Sequence, residues 1–276
     1  SLNDINQLLL DLFKTLPRKM GHVQDYLFTT ISDKDDLDSA IKLLSHEQDL
    51  LDVFKGQVQV YAAQQAQNIT STKEETKRKT LLEAMGIEFF NTIDSEKETI
   101  LSKIQDPSHK KQISQSFRVN NKKTQERFDK WVSETANKKT ELFWHGSRNQ
   151  NWWSILDSGL VLRPTSAIIN GKMFGTGSYA SDKFSKSLGY TSYSGSRWAG
   201  GNSDKAILSL FDFHVGEQLH IKKWSNEHSR LDENKLKEYG NYDSVFAHGG
   251  YDLVNNEFII YNEAQSTIKF ICEFGK

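Results

Sequence analysis

Apolar residues recur at helical spacing through the first part of the chain. Ile5, Leu8, Leu9, Leu12, Phe13 and Leu16 fall on one stripe that stops at Pro17, whose ring and missing N–H end a helix. A second stripe follows Ser32, read as a capping residue with Asp35 three positions on. It runs through Leu37, Ile41, Leu44, Leu51 and Phe54 to Gly56, the expected other end of that helix. From Ile69 to Lys79 the periodicity gives way to polar and charged residues, and a domain boundary is expected there. The predicted division is an all-α segment, residues 1–68, and a second domain, residues 69–276.

Past that boundary the grammar changes. One amphipathic helix is predicted from Ser95 to Ile104, after which apolar residues mostly alternate: Ile207, Leu208, Leu210, Phe211 and Phe213, then Phe258 and Ile260, then Ile268, Phe270, Cys272 and Phe274. Glycine clusters separate these runs. The second domain therefore reads as a sheet-rich α+β unit with long glycine-containing loops, without repeats.

Composition narrows the functional classes. A chain of 276 residues with ordinary apolar content can bury a core. It contains no long apolar run, export signal or lipidation ending, so it reads as soluble and intracellular, with no membrane partner. A net charge of −1 provides no cationic field for nucleic acid, and the basic stretch from His109 to Lys130 reads as a solvated face. Cys272 is the only cysteine, which excludes an internal disulfide and a thiolate metal cluster; its alternating context predicts a buried, inert thiol.

Three clusters could carry chemistry. Phe143 to Ser147, FWHGS, is a short apolar strand ending in groups that hydrogen-bond and a glycine that admits close backbone approach; a purely structural histidine is the competing reading. Gly171 to Ser192 combines several glycines with Tyr179 and Tyr190, which suit stacking on a flat ring, and Ser187, which could hydrogen-bond an amide on it. A turn-rich loop with core tyrosines fits that stretch equally, and its spacing is not that of a Rossmann fingerprint. In Val254 to Gln265, Glu257 opens an apolar strand; taken alone, it reads as exposed at the strand end.

In this order and spacing the clusters resemble the catalytic domain of the poly(ADP-ribose) polymerases, which is marked by a His-Tyr-Glu triad. His145 in HGS, Tyr179 in GSYAS and Glu257 in NEFIIY match the triad, and Ser185 to Tyr190, SKS..Y, matches without a gap. The resemblance runs from about Leu142 to Phe274, while the helices before it look like the later part of the family's helical regulatory domain. It implies a mixed, mainly antiparallel β fold with an N-terminal all-α subdomain.

It also implies NAD+ as substrate, with no prosthetic group and no metal. Nicotinamide would lie beside Tyr190, its carboxamide held by Gly146 and Ser187, with Tyr179 as a second aromatic wall. His145 and Ser147 would contact the adenine-side ribose, Asn151 the nucleotide, and Arg163 the phosphates or adenine. Glu257 would support the oxocarbenium-like transition state and the acceptor, with Lys186 near the acceptor ADP-ribose. Acceptor proteins and poly(ADP-ribose) are the implied partners. Nuclear residence is a family tendency, and any DNA-dependent activation would act through regions outside this chain. Ala180 and Ser181 depart from the family pattern after the triad tyrosine, implying a looser pocket wall. A mono(ADP-ribosyl)transferase and a catalytically silent NAD+ or ADP-ribose binding module remain the competing expectations; the intact triad disfavours the second.

Overall fold

The computed structural model describes residues 2–15, 22–69, 81–162, 173–197 and 199–275. These described residues divide into two compact units, one up to Leu51 and a larger one from Asp52 onward. In the first, α1 (Leu2–Thr15) carries Asn6, whose side-chain amide donates to the Phe28 carbonyl at 2.8 Å and accepts from the Phe28 N–H at 2.9 Å. Phe13 meets Tyr26 edge to face at 6.1 Å.

Helix α2 (Lys34–Ile69) corrects two expectations. Its N-terminus is capped by Asp33, whose Oδ1 accepts from the Asp36 N–H at 2.9 Å, rather than by Ser32. Ser32 instead donates its N–H and hydroxyl to Asp36, each at 3.0 Å. Nor does the helix stop at Gly56: the following residues, rich in Gln and Ala and free of proline, continue it to Ile69. Gly56 is buried, and a β-carbon there would lie 3.2 Å from Trp153 Cβ, so the glycine serves close helix approach. Gln59, one turn on, donates to Asp157 Oδ2 at 2.7 Å.

The larger unit continues with α3 (Leu81–Ala84), β1 (Ile87–Asn91), α4 (Asp94–Ser102), α5 (Pro107–Lys111), β2 (Ile113–Asn121), α6 (Lys122–Glu134) and β3 (Thr140–Gly146). Next come α7 (Trp152–Ser158), β4 (Ser178–Ala180), α8 (Phe184–Leu188), β5 (Lys205–His214) and β6 (Gln218–Ile221). The unit ends with α9 (Glu233–Gly240), β7 (Ser244–Ala247), β8 (Glu257–Ile260) and β9 (Ser266–Gly275). Helix α6 interrupts what reads from sequence as alternation. Asn121 caps it by accepting from the Thr124 N–H at 3.1 Å, Phe128 anchors it, and few other apolar residues mark its face. Its Trp131 indole N–H donates to His214 Nδ1 at 3.1 Å, so the proton of this fully buried histidine sits on Nε2, facing the Asn137 carbonyl at 2.6 Å.

One sheet has the order β1-β2-β9-β5-β3 and is antiparallel throughout; the other has the order β4-β8-β7-β6, parallel only between β7 and β6. The fold is therefore α+β with mainly antiparallel sheets. Strand β5 lies between β9 and β3 and is buried on both faces. Phe211 and Phe213 pack with Phe143 and Phe258, while Leu208 and Leu210 pack with Trp144, Phe184, Phe270 and Phe274. Cys272 is buried in the second of these clusters, as its alternating context predicts.

Candidate active site

The two sheets are stitched together where β3 passes the end of β4. The Trp144 N–H donates to the Ser181 carbonyl at 2.9 Å, and the Ser181 N–H donates back at 3.2 Å. This bridge brings the next residue of β3, His145, against β4: its Nδ1 lies 3.4 Å from the Tyr179 carbonyl oxygen, and its ring meets Phe211 edge to face at 5.8 Å. The Tyr179 hydroxyl donates to the Gly175 carbonyl at 2.8 Å and accepts from the Phe174 N–H at 3.1 Å. Burial, and secondarily the Glu257 carboxylate, push the Tyr179 phenol well above its ordinary range, so it remains neutral.

At the strand's end Gly146 meets α8. A β-carbon at Gly146 would lie 1.9 Å from the Ser187 carbonyl oxygen, so only glycine lets strand and helix approach this closely. Ser187 is buried, and its hydroxyl donates to the Trp144 carbonyl at 3.0 Å. The meeting of β3 and α8 therefore sets Gly146 against Ser187, with Lys186 the preceding residue of the helix. Tyr190 follows with 43% of its surface exposed; partial burial and the Glu257 carboxylate raise its phenol.

Glu257 departs from the exposed position expected of an isolated strand-end carboxylate. Its side chain is only 14% exposed, and its Oε1 pairs with Lys186 Nζ, itself 14% exposed. Register supplies the reason. Tyr179 pairs with Ile259 across β4 and β8, so Glu257, two residues from Ile259, projects from the same face of the sheet as Tyr179. His145, Tyr179 and Glu257 thus converge from three strands, with Lys186 and Ser187 supplied by α8.

The remaining predicted residues divide. Asn151 is buried and donates to the Ser147 hydroxyl at 3.0 Å, while its Oδ1 is buried without a hydrogen-bond partner. An acceptor in that condition suits a ligand hydroxyl or amino group. Arg163 lies outside the described residues. Among the described residues, no group of three His, Cys, Asp or Glu side chains could hold a metal ion, and no helix is long and apolar enough to cross a membrane. A cleft of about 500 Å³ lined by Asn226, Glu227, Arg230, Lys235, Glu238 and Tyr239 includes none of the predicted site residues.

The profile of the family described as poly(ADP-ribose) polymerase catalytic domain matches residues 94–275. The chain belongs to that family. It is 37% identical over 163 residues to a poly [ADP-ribose] polymerase-like protein of Invertebrate iridescent virus 6, an alignment covering 58% of this chain and 84% of the viral one. It is 30% identical over 181 residues to poly [ADP-ribose] polymerase 2 of Zea mays, covering 58% of this chain and 26% of the maize protein. Against poly [ADP-ribose] polymerase 2 of Homo sapiens the figures are 30% over 154 residues, 47% of this chain and 25% of the human protein. The chain therefore spans about a quarter of the length of the maize and human relatives.

The poly(ADP-ribose) polymerase match takes in every predicted site residue, while α1 and α2 fall outside it. Sequence reasoning passed over Asp182 and Asn256, which hydrogen-bond beside the site. Asn256 opens NEFIIY and Asp182 follows GSYAS, but they are 74 positions apart and nothing in the sequence pairs them.

Proposed function

We propose that this poly(ADP-ribose) polymerase domain cleaves NAD+, releases nicotinamide and transfers ADP-ribose to acceptor proteins and onto growing poly(ADP-ribose). The observation that carries the reading is the convergence of His145, Tyr179 and the Lys186-paired Glu257 at the junction of the two sheets. Nicotinamide would stack beside Tyr190 with Tyr179 as the facing wall, its carboxamide meeting the Gly146 backbone and the Ser187 hydroxyl. His145 and Ser147 would hold the adenine-side ribose, Asn151 and Arg163 the rest of the nucleotide.

The chemistry follows from charge. The glycosidic carbon–nitrogen bond breaks with its electron pair leaving on nicotinamide, and positive charge develops on the ribose. Glu257, negative and largely shielded from water, stabilises that charge and accepts a hydrogen bond from the ribose 2′-hydroxyl. The acceptor then bonds to the same carbon, and its proton passes to Glu257. Glutamate at this position, together with Lys186 near the acceptor, favours chain growth over single transfer. NAD+ serves as substrate, with no prosthetic group. We also propose residues 1–68 as a helical regulatory segment and 69–276 as the catalytic domain. Nuclear residence and DNA-dependent control are readings drawn from the family.

The test is incubation with labelled NAD+, following free nicotinamide and labelled protein on a gel. A ladder of high-mass product supports polymer formation. A single discrete addition would make this a mono(ADP-ribosyl)transferase, and NAD+ binding without release would make it a silent module.

A further inference from the structure

Glu257 and α8 must keep a fixed relation if the carboxylate is to meet a ribose whose nicotinamide is held by Ser187. One amide spans the gap between them. Asn256, immediately before Glu257, donates from Nδ2 to Asp182 Oδ2 at 2.9 Å, and its Oδ1 accepts from the Gly249 N–H at 2.9 Å. The Asn256 carbonyl accepts from the Ser181 hydroxyl at 3.3 Å, and that hydroxyl accepts from the Lys183 N–H at 3.1 Å, at the entry to α8. Asp182 is held from its other side, its carbonyl accepting from Gln105 Nε2 at 2.9 Å, while Gln105 Oε1 accepts from the Phe184 N–H at 3.3 Å. Every contact is polar, and together they tie the start of β8, the loop at Gly249 and the start of α8 to one another.

Donor and acceptor senses are fixed here. An ionised Asp182 offers only acceptors, so Asn256 must turn its NH2 toward it and its oxygen toward the backbone N–H of Gly249. The other oxygen, Asp182 Oδ1, is buried and has no hydrogen-bond partner, so this carboxylate has little else to stabilise it. We infer that Asn256 is a positioning residue for the transfer reaction, a brace that holds Glu257 against the α8 segment bearing Lys186 and Ser187. This inference rests on the reading of Glu257 as the reaction's carboxylate.

The geometry permits an exchange test. Asn256→Asp sets two carboxylates face to face, whereas the double variant Asp182→Asn/Asn256→Asp restores one donor and one acceptor with their positions swapped. Asp182→Asn alone keeps an acceptor toward Asn256 and is the mild control. Melting temperatures and the kcat and KM for nicotinamide release would be measured for the whole chain and each variant, at a temperature where all are folded. Asn256→Asp should lower the melting temperature and reduce kcat by about 10- to 100-fold, the scale of a misplacement of about 1 Å. KM should be nearly unchanged, because the Gly146–Ser187 contact is left intact. The double variant should recover both properties to within about threefold of wild-type kcat. Failure of the double variant to recover the melting temperature overturns the brace. Unchanged kcat in Asn256→Asp, with an active wild type, overturns the positioning role and leaves a merely structural contact. Absence of nicotinamide release from the wild type overturns the reading of Glu257 and the positioning claim with it, and is seen before any variant is assayed.

Discussion

Gly146 and Ser187 stand so close that a β-carbon on the glycine would lie 1.9 Å from the serine's carbonyl oxygen and 2.7 Å from its carbonyl carbon. The obstructing atoms are backbone, not the end of a flexible side chain, so relief requires the strand or the helix to move. Gly146→Ala should therefore displace α8 and destabilise the chain by at least about 1–3 kcal/mol, the usual range for overpacking. Thermal or urea melts measure this. Because the Ser187 hydroxyl moves with its backbone, the KM for NAD+ should rise as well.

Lys186 and Glu257 form an ion pair of which each side chain keeps 14% exposure. Lys186→Met leaves the carboxylate without its cation. A fully buried pair would cost about 3–5 kcal/mol when broken in this way, and residual solvent contact lowers the expectation to about 1–3 kcal/mol. If Lys186 also meets the acceptor, the gel ladder shortens more than nicotinamide release declines. The melt and the two product assays on one preparation check all three.

Burial pushes the Cys272 thiol from 9.0 up to about 12. Well below pH 9 the thiol is protonated in folded and unfolded chains alike, and its contribution to stability is constant. As pH rises from about 9 toward about 12, the unfolded chain loses this proton while the folded chain keeps it, so stability falls. The Tyr179 and Tyr261 phenols, raised chiefly by burial, act in the same direction at higher pH. Cys272→Ala should flatten the first part of this loss, measured as urea midpoints across the alkaline range. At neutral pH, thiol reagents should modify the wild type only as it unfolds.

Much of this site was legible because its residues lie in short contiguous runs. Alternation through Phe213, Phe258 and Phe274 marked β5, β8 and β9, HGS closes β3, and GSYAS and NEFIIY span β4 and β8. Register was not legible. Only the pairing of Tyr179 with Ile259 turns Glu257 from an exposed strand end into an inward-facing carboxylate. Helix ends misled where a glycine had a second use: Gly56 looked like a terminator and is instead a contact with Trp153. Helix α6 was missed because Asn121 caps a segment whose charged residues outnumber its apolar ones. The Asn256–Asp182 bond, which spans 74 positions, exists only after folding.

The central claim is that Glu257 carries the transfer chemistry, and nicotinamide release by Glu257→Gln measures it most directly. Glutamine keeps the size and a hydrogen-bonding oxygen toward Lys186 but supplies neither the negative charge nor a base. With folding verified by melting, the variant should release nicotinamide about 100- to 1,000-fold more slowly than wild type, at a nearly unchanged KM, and build no ladder. Release at the wild-type rate by the folded variant would contradict the account.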